Sequence, residues 1–183
     1  MRRARRFIAA MAALLLAAGC SSTTTGDASP RVETSTTVAA PTTPWDPCTI
    51  PDEAIERAGL NVATKESGVF GRDQNGFKIC GWVSRSPADG YFLRIFVGLQ
   101  SLDYIDDPSY FNRLEPVRVG TRDATQYQQV AADASRNCGV AFTAGAELIR
   151  ATLVTGQLTG SSPYDPCTEL NAVVARLDSE LPK

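Results

Sequence analysis

Five cysteines are the residues of this 183-residue chain best suited to chemistry: Cys20, Cys48, Cys80, Cys138 and Cys167. Two of them occupy the same short stretch, Asp46-Pro47-Cys48-Thr49 and Asp165-Pro166-Cys167-Thr168. A thiol can be a nucleophile, a metal ligand, a lipid acceptor or half of a disulfide, and spacing separates these uses. Four-thiolate zinc sites show close cysteine pairs, whereas the last four cysteines here lie far apart. The chain has no histidine. That removes Ser-His-Asp and Cys-His catalysis and histidine-ligated zinc or haem. It also has no Gly-x-Ser-x-Gly, Ser-x-x-Lys, phosphate-loop or Cys-x-x-Cys motif. Paired carboxylates or lysine chemistry are the routes left. Asp52 and Glu53 are neighbours, but in the first turn of a predicted helix, where acids suit the helix dipole anyway. With Asp123 they read as solvated surface. No enzyme, metal or cofactor is expected.

Cys20 stands apart from the other four. Arg2, Arg3, Arg5 and Arg6 form a positive segment, and Phe7 to Ala18 is an apolar run of 12 residues. That run is too short for a permanent membrane helix and right for a signal peptide. Ala17-Ala18-Gly19-Cys20 follows, small residues before a cysteine, as in a bacterial lipobox. Residues 1–19 are therefore expected to be removed and Cys20 to carry lipid. Two or three acyl chains anchor stably where one holds only marginally. The paired arginines would also suit twin-arginine export, but that motif is loose and the general secretory route is preferred. Residues 20–44 continue as a Ser/Thr/Ala/Pro-rich stretch that cannot form a core, a tether spanning on the order of 27 Å as a flexible coil.

Removing the four leader arginines from 18 basic residues leaves 14 against 20 acidic, a net charge of −6. Nucleic acid and anionic membranes both call for a basic face, so membrane attachment should be through Cys20 lipid alone.

The folded part should be one domain over residues 45–183. Asp46-Pro47 is a helix start: the carboxylate accepts orphan backbone N–H groups, and proline has none to orphan. Pro51 offers Ile50-Pro51 as the alternative start; the helix runs to about Ala58 and stops at Gly59. Asn75-Gly76 predicts a tight hairpin between Gly68–Phe70 and Phe77–Val83. A turn over 86–90 leads into Tyr91–Leu99, a run apolar on both faces. Residues 101–114 read as a short helical connection broken at Pro108, followed by strands near Pro116–Val119 and Ala124–Val130. A second hairpin joins Cys138–Thr143 to Glu147–Val154. Asp165-Pro166 starts a last helix whose Leu170, Val173, Val174, Leu177 and Leu181 form one apolar stripe. The order implies α+β: a mainly antiparallel sheet with N-terminal and C-terminal helices packed on it.

Four cysteines in an exported domain argue for two disulfides, and three pairings are possible. Cys48–Cys80 with Cys138–Cys167 is favoured, because each closes a short loop and joins a helix start to a strand.

With its lipobox, polar tether, Cys48 at a helix start, Cys80-Gly81-Trp82, Cys138-Gly139-Val140 and Pro166-Cys167, the chain resembles the LprB/LprC-like group of actinobacterial lipoproteins. These carry a four-cysteine domain of unknown function. The resemblance implies a cell-envelope lipoprotein without assigned activity, and a distant relation to PsbP-like folds.

Asp103, Asp106 and Asp107 cluster with Tyr104, Tyr110 and Phe111. The cluster is either the rim of a ligand or partner site or a solvated acidic turn with its aromatics tucked inward. It lacks calcium-loop spacing. Trp82 is expected in the core beside a disulfide. Three functions follow, in order of preference: a non-enzymatic envelope lipoprotein that binds a partner or assists a complex; a carrier of a lipid or other apolar ligand in a dry cavity under strand 91–99; a hydrolase.

Overall fold

The computed structural model describes residues 42–86, 90–156 and 165–183. The leader, Cys20, all but the end of the tether and the middle of the 86–90 turn lie outside them.

The Asp46 carboxylate accepts the Cys48 N–H at 2.8 Å, as its capping role requires, but it caps only one 3-10 turn, Pro47–Thr49. The cause is Pro51, whose ring disfavours the helical region for Ile50; Ile50 is extended at φ −56, ψ 129. Helix α1 then runs Asp52–Arg57, and Gly59 ends it at φ +89.

Seven strands form one antiparallel sheet among the described residues: β1 Glu66–Ser67, β2 Phe77–Val83, β3 Tyr91–Gly98, β4 Phe111–Val119, β5 Arg122–Gln129, β6 Asn137–Ala144 and β7 Glu147–Thr155. Helix α2, Pro166–Leu177, follows, with Asp165 accepting from Thr168 N at 2.7 Å. The spatial order is β1-β2-β3-β7-β6-β5-β4. Two meanders, β1–β3 and β4–β7, therefore meet at one seam, where β3 pairs with β7 from Tyr91↔Thr155 to Gly98↔Leu148.

One sheet face is covered by α1 and α2. Cys80 and Trp82 of β2, Leu93, Ile95 and Val97 of β3, and Val140 and Phe142 of β6 pack there against Ile55, Leu170, Val173, Val174 and Leu177. Trp82 is fully buried in this core, as expected of it. The disulfides Cys48–Cys80 and Cys138–Cys167 join each Asp-Pro-Cys segment to a strand, the favoured pairing. Fold class and helix stripe are those expected: Leu170, Val173, Val174, Leu177 and Leu181 are all buried.

Three expectations need correction. The Asn75-Gly76 turn exists, closed by Phe77 N–H donating to Gln74 O at 3.1 Å, but it does not join two long strands. Gly68, Phe70 and Gly71 all have positive φ, so the chain makes a second tight turn at Val69–Arg72 and only Glu66–Ser67 pair with β2. Residues 111–114, read as part of a helical connection, belong to β4, which holds Arg113 at φ 52 in a bulge. Strand β4 is exposed along most of its length, so no apolar alternation marks it. Strand β5 starts at Arg122 rather than Ala124.

Candidate functional site

Among the described residues no α-helix covers the other sheet face. Its character comes from alternation: on β3, Leu93, Ile95 and Val97 point to the helices, so Phe92, Arg94 and Phe96 point away. Cross-strand register then places Arg150 of β7 beside Phe96 and Thr152 beside Arg94. Two glycines shape the surface. A Cβ at Gly81 would lie 2.5 Å from the Phe92 ring, and one at Gly139 only 2.2 Å from the Tyr127 ring. Each ring thus lies directly over a glycine.

A second, smaller core builds on this face: Ile105, Phe111, Tyr127, Ala141 and Leu148. Ile105 comes from a 3-10 turn, Leu102–Asp106, that folds over the sheet. The cluster from Asp103 to Phe111 divides between solvent and sheet. Asp103, Asp106 and Asp107 are solvent-exposed. Phe111 is buried, while Tyr104 and Tyr110 are 39 % and 65 % exposed and line a half-open pocket of about 350 Å³.

Arg150 forms the inner wall of that pocket and is only 4 % exposed. Its guanidinium carbon lies 4.7 Å from the Phe96 ring centre, 5.0 Å from Tyr104, 5.1 Å from Phe77 and 5.4 Å from Phe111. No carboxylate of the described residues pairs with it, and its Nε–H has no acceptor. Desolvating an ion costs several kcal/mol even after relaxation. A desolvated cation–π contact returns about 2 kcal/mol, and an unpaired buried donor costs about 1–3 kcal/mol more. The rings therefore compensate the charge incompletely.

Arg94 lines the same pocket. It lies 4.5 Å from the Phe92 ring centre and 5.7 Å from Phe70, and pairs with Glu66 at 3.5 Å, while its Nε–H is unpaired. Burial lowers its pKa, and the Glu66 charge and hydrogen bond work against that. Beneath the pocket the Tyr127 hydroxyl is buried; burial raises its pKa, and the charge and hydrogen bond of Arg150 oppose the rise. The remaining polar lining is Gln74, Gln129 and the two tyrosines. Hydrogen-bond donors and positive charge dominate, so the arrangement is suited to holding an anion.

The other sequence candidates do not join this site. Asp52 pairs with Lys65 at 3.0 Å on α1, and Asp123 with Arg118 at 2.8 Å on the β4–β5 edge. Arg94, Arg150, Phe77, Phe96 and Tyr127 were not singled out from the sequence. Their signal was present: Phe-Leu-Arg-Ile-Phe-Val and Leu-Ile-Arg-Ala-Thr-Leu each place one arginine inside a run that is apolar on both faces.

A family model described as "Protein of unknown function (DUF3558)" matches residues 15–179. The chain belongs to the DUF3558 family. The DUF3558 match takes in Cys20, all four disulfide cysteines and both pocket arginines. No curated protein and no solved structure matches the chain.

Proposed function

We propose that this DUF3558 protein is a lipid-anchored, extracytoplasmic, non-enzymatic binding protein of the LprB/LprC-like, actinobacterial type, which captures a ligand or partner group in the helix-free pocket. The observation that carries the reading is the half-open pocket of about 350 Å³ with Arg150 buried and incompletely paired in its wall. A charged group kept at a cost to stability, in a concave site, marks function more often than architecture. Lipid attachment is supported by the lipobox at Cys20 and the tether that follows, and extracytoplasmic placement by two disulfides in a small domain. Among the described residues no helix is long and apolar enough to cross a membrane.

Carriage of an apolar ligand is the second reading. A neighbouring recess of about 300 Å³, lined by Phe70, Phe92 and Val154, favours it. The dry cavity expected under strand 91–99 is not what supports it: that side of β3 packs into the helix core.

Anchoring is tested by Cys20→Ser, expected to shift the protein from the membrane fraction into the medium; retention on the membrane would refute it. Binding is tested by native mass spectrometry of the full chain purified from its own envelope. A co-purifying mass present in the wild type and lost in Tyr104→Ala/Tyr110→Ala supports the pocket. An identical spectrum from both proteins counts against it.

A further inference from the structure

We propose that the pocket takes an organic oxyanion, a carboxylate or phosphate joined to an apolar body, with the anionic group held between Arg150 and Arg94. This rests on the pocket being a binding site and names the chemistry that enters it. The first ground is Arg150 itself. A buried arginine is almost always paired, and here the guanidinium packs among four aromatic rings with no carboxylate of the described residues paired to it. Rings attract the charge, and the Nε–H is left without an acceptor. A carboxylate or phosphate supplies acceptor oxygens and matches the guanidinium fork.

The second ground is Arg94. It lines the same pocket, its Glu66 contact is long at 3.5 Å, and its Nε–H is also unpaired. No carboxylate is among the described residues lining that pocket; Glu66, which pairs with Arg94, lies on the wall of the neighbouring recess, so an incoming anion meets Arg150 unpaired and Arg94 partly paired. The third ground is shape. Arg94 is shared with a recess whose wall holds its partner Glu66 beside Phe70, Phe92 and Val154, so apolar groups flank the charged centre on both sides. A bare anion would leave those walls uncovered. A neutral apolar molecule would leave both guanidiniums as they are. An amphiphilic anion satisfies both sets of groups.

The test uses the full chain in neutral detergent and four soluble probes: phenyl phosphate, phenylacetate, inorganic phosphate and benzyl alcohol. Titration calorimetry is expected to show an aromatic anion binding at least tenfold tighter than inorganic phosphate and benzyl alcohol. The phosphate and carboxylate arms show which anionic group is preferred. Arg150→Met and Arg94→Met should each weaken that binding tenfold or more, and Arg150→Lys should recover less than the full affinity. Arg94 is the less buried of the two, so its variant still decides the matter should Arg150→Met not fold. Equal affinity for benzyl alcohol, equal affinity for inorganic phosphate, or binding indifferent to both arginine variants would each overturn the proposal. Failure of every probe would overturn it too. The pocket would still stand as a binding site if the native mass spectra differ between the wild type and Tyr104→Ala/Tyr110→Ala.

Discussion

Cys80-Gly81 and Cys138-Gly139 each divide their labour between the two sides of the sheet. The cysteine faces the helices and is crosslinked there; the glycine faces away and leaves room for a ring. Gly139→Ala puts a methyl group 2.2 Å from Tyr127, so the ring must move and disturb Phe111, whose centre is 5.1 Å away. A loss of about 1–3 kcal/mol is expected by urea denaturation, the usual cost of overpacking. Stability within 0.5 kcal/mol of the wild type would show that the ring is not confined (about the range of an ordinary surface change). Asp178 offers a second residue-scale check. Burial would raise its carboxyl, but hydrogen bonds from the Thr121 hydroxyl and backbone N–H and from Arg122 outweigh this and hold it at about 2. Its folded pKa lies below its ordinary 3.8, so its contribution is present above that value and is lost as pH falls toward about 2. Asp178→Asn should cost about 2 kcal/mol at neutral pH. Guanidinium denaturation at a series of pH values should show the wild type losing that margin between about pH 4 and pH 2, and the variant not. The residues that build the pocket were harder to see in advance. Tyr104, Tyr110 and Phe111 are visible as a cluster because they are close in sequence. Arg94 and Arg150 are 56 residues apart in sequence and meet only through the β3–β7 register.

Secondary structure was legible where a single residue enforces it or a period repeats. The apolar stripe of α2 and its Asp165 cap translate directly into buried positions and a 2.7 Å hydrogen bond. The first Asp-Pro is equally clear and yields only a 3-10 turn, because the local rule at Pro51 overrides the cap. Strand β4 was partly invisible because an edge strand exposed on both faces carries no alternation to read. Arg122 holds the far end of α2. It donates to the carbonyls of Asp178, the C-cap, and of Leu181 and Pro182 in the segment beyond, at 3.0, 3.1 and 2.6 Å, tying the chain that leaves the helix to β5. The start of α2 is held covalently as well. Replacing Cys138 and Cys167 together by alanine should cost about 3–4 kcal/mol in urea, the scale for a loop of this length. A change below about 1 kcal/mol would mean that the cap and the apolar stripe position the helix without the crosslink.

At the scale of the molecule, charge and placement oppose one another. The chain carries an excess of acidic residues, yet two largely buried guanidiniums, Arg150 and Arg94, gather at the pocket on the sheet face away from α1 and α2. The sheet itself is two meanders, and the seam between them pairs residues 50 to 64 apart in sequence, from Gly98↔Leu148 (148 − 98 = 50) to Tyr91↔Thr155 (155 − 91 = 64). Pairing so distant in sequence comes late and slowly in folding, because loop closure must precede it. Neither disulfide crosses that seam: Cys48–Cys80 lies within the first half of the sequence and Cys138–Cys167 within the second. The pairs are consecutive along the chain, first with second and third with fourth. On the proposed export route, with Cys20 spent on lipid, the other four thiols reach an oxidising compartment in that order, and each new thiol meets its native partner as the nearest unspent one. Oxidation can therefore keep pace with translocation, and the protein should mature correctly without a catalyst that reshuffles mispaired bonds.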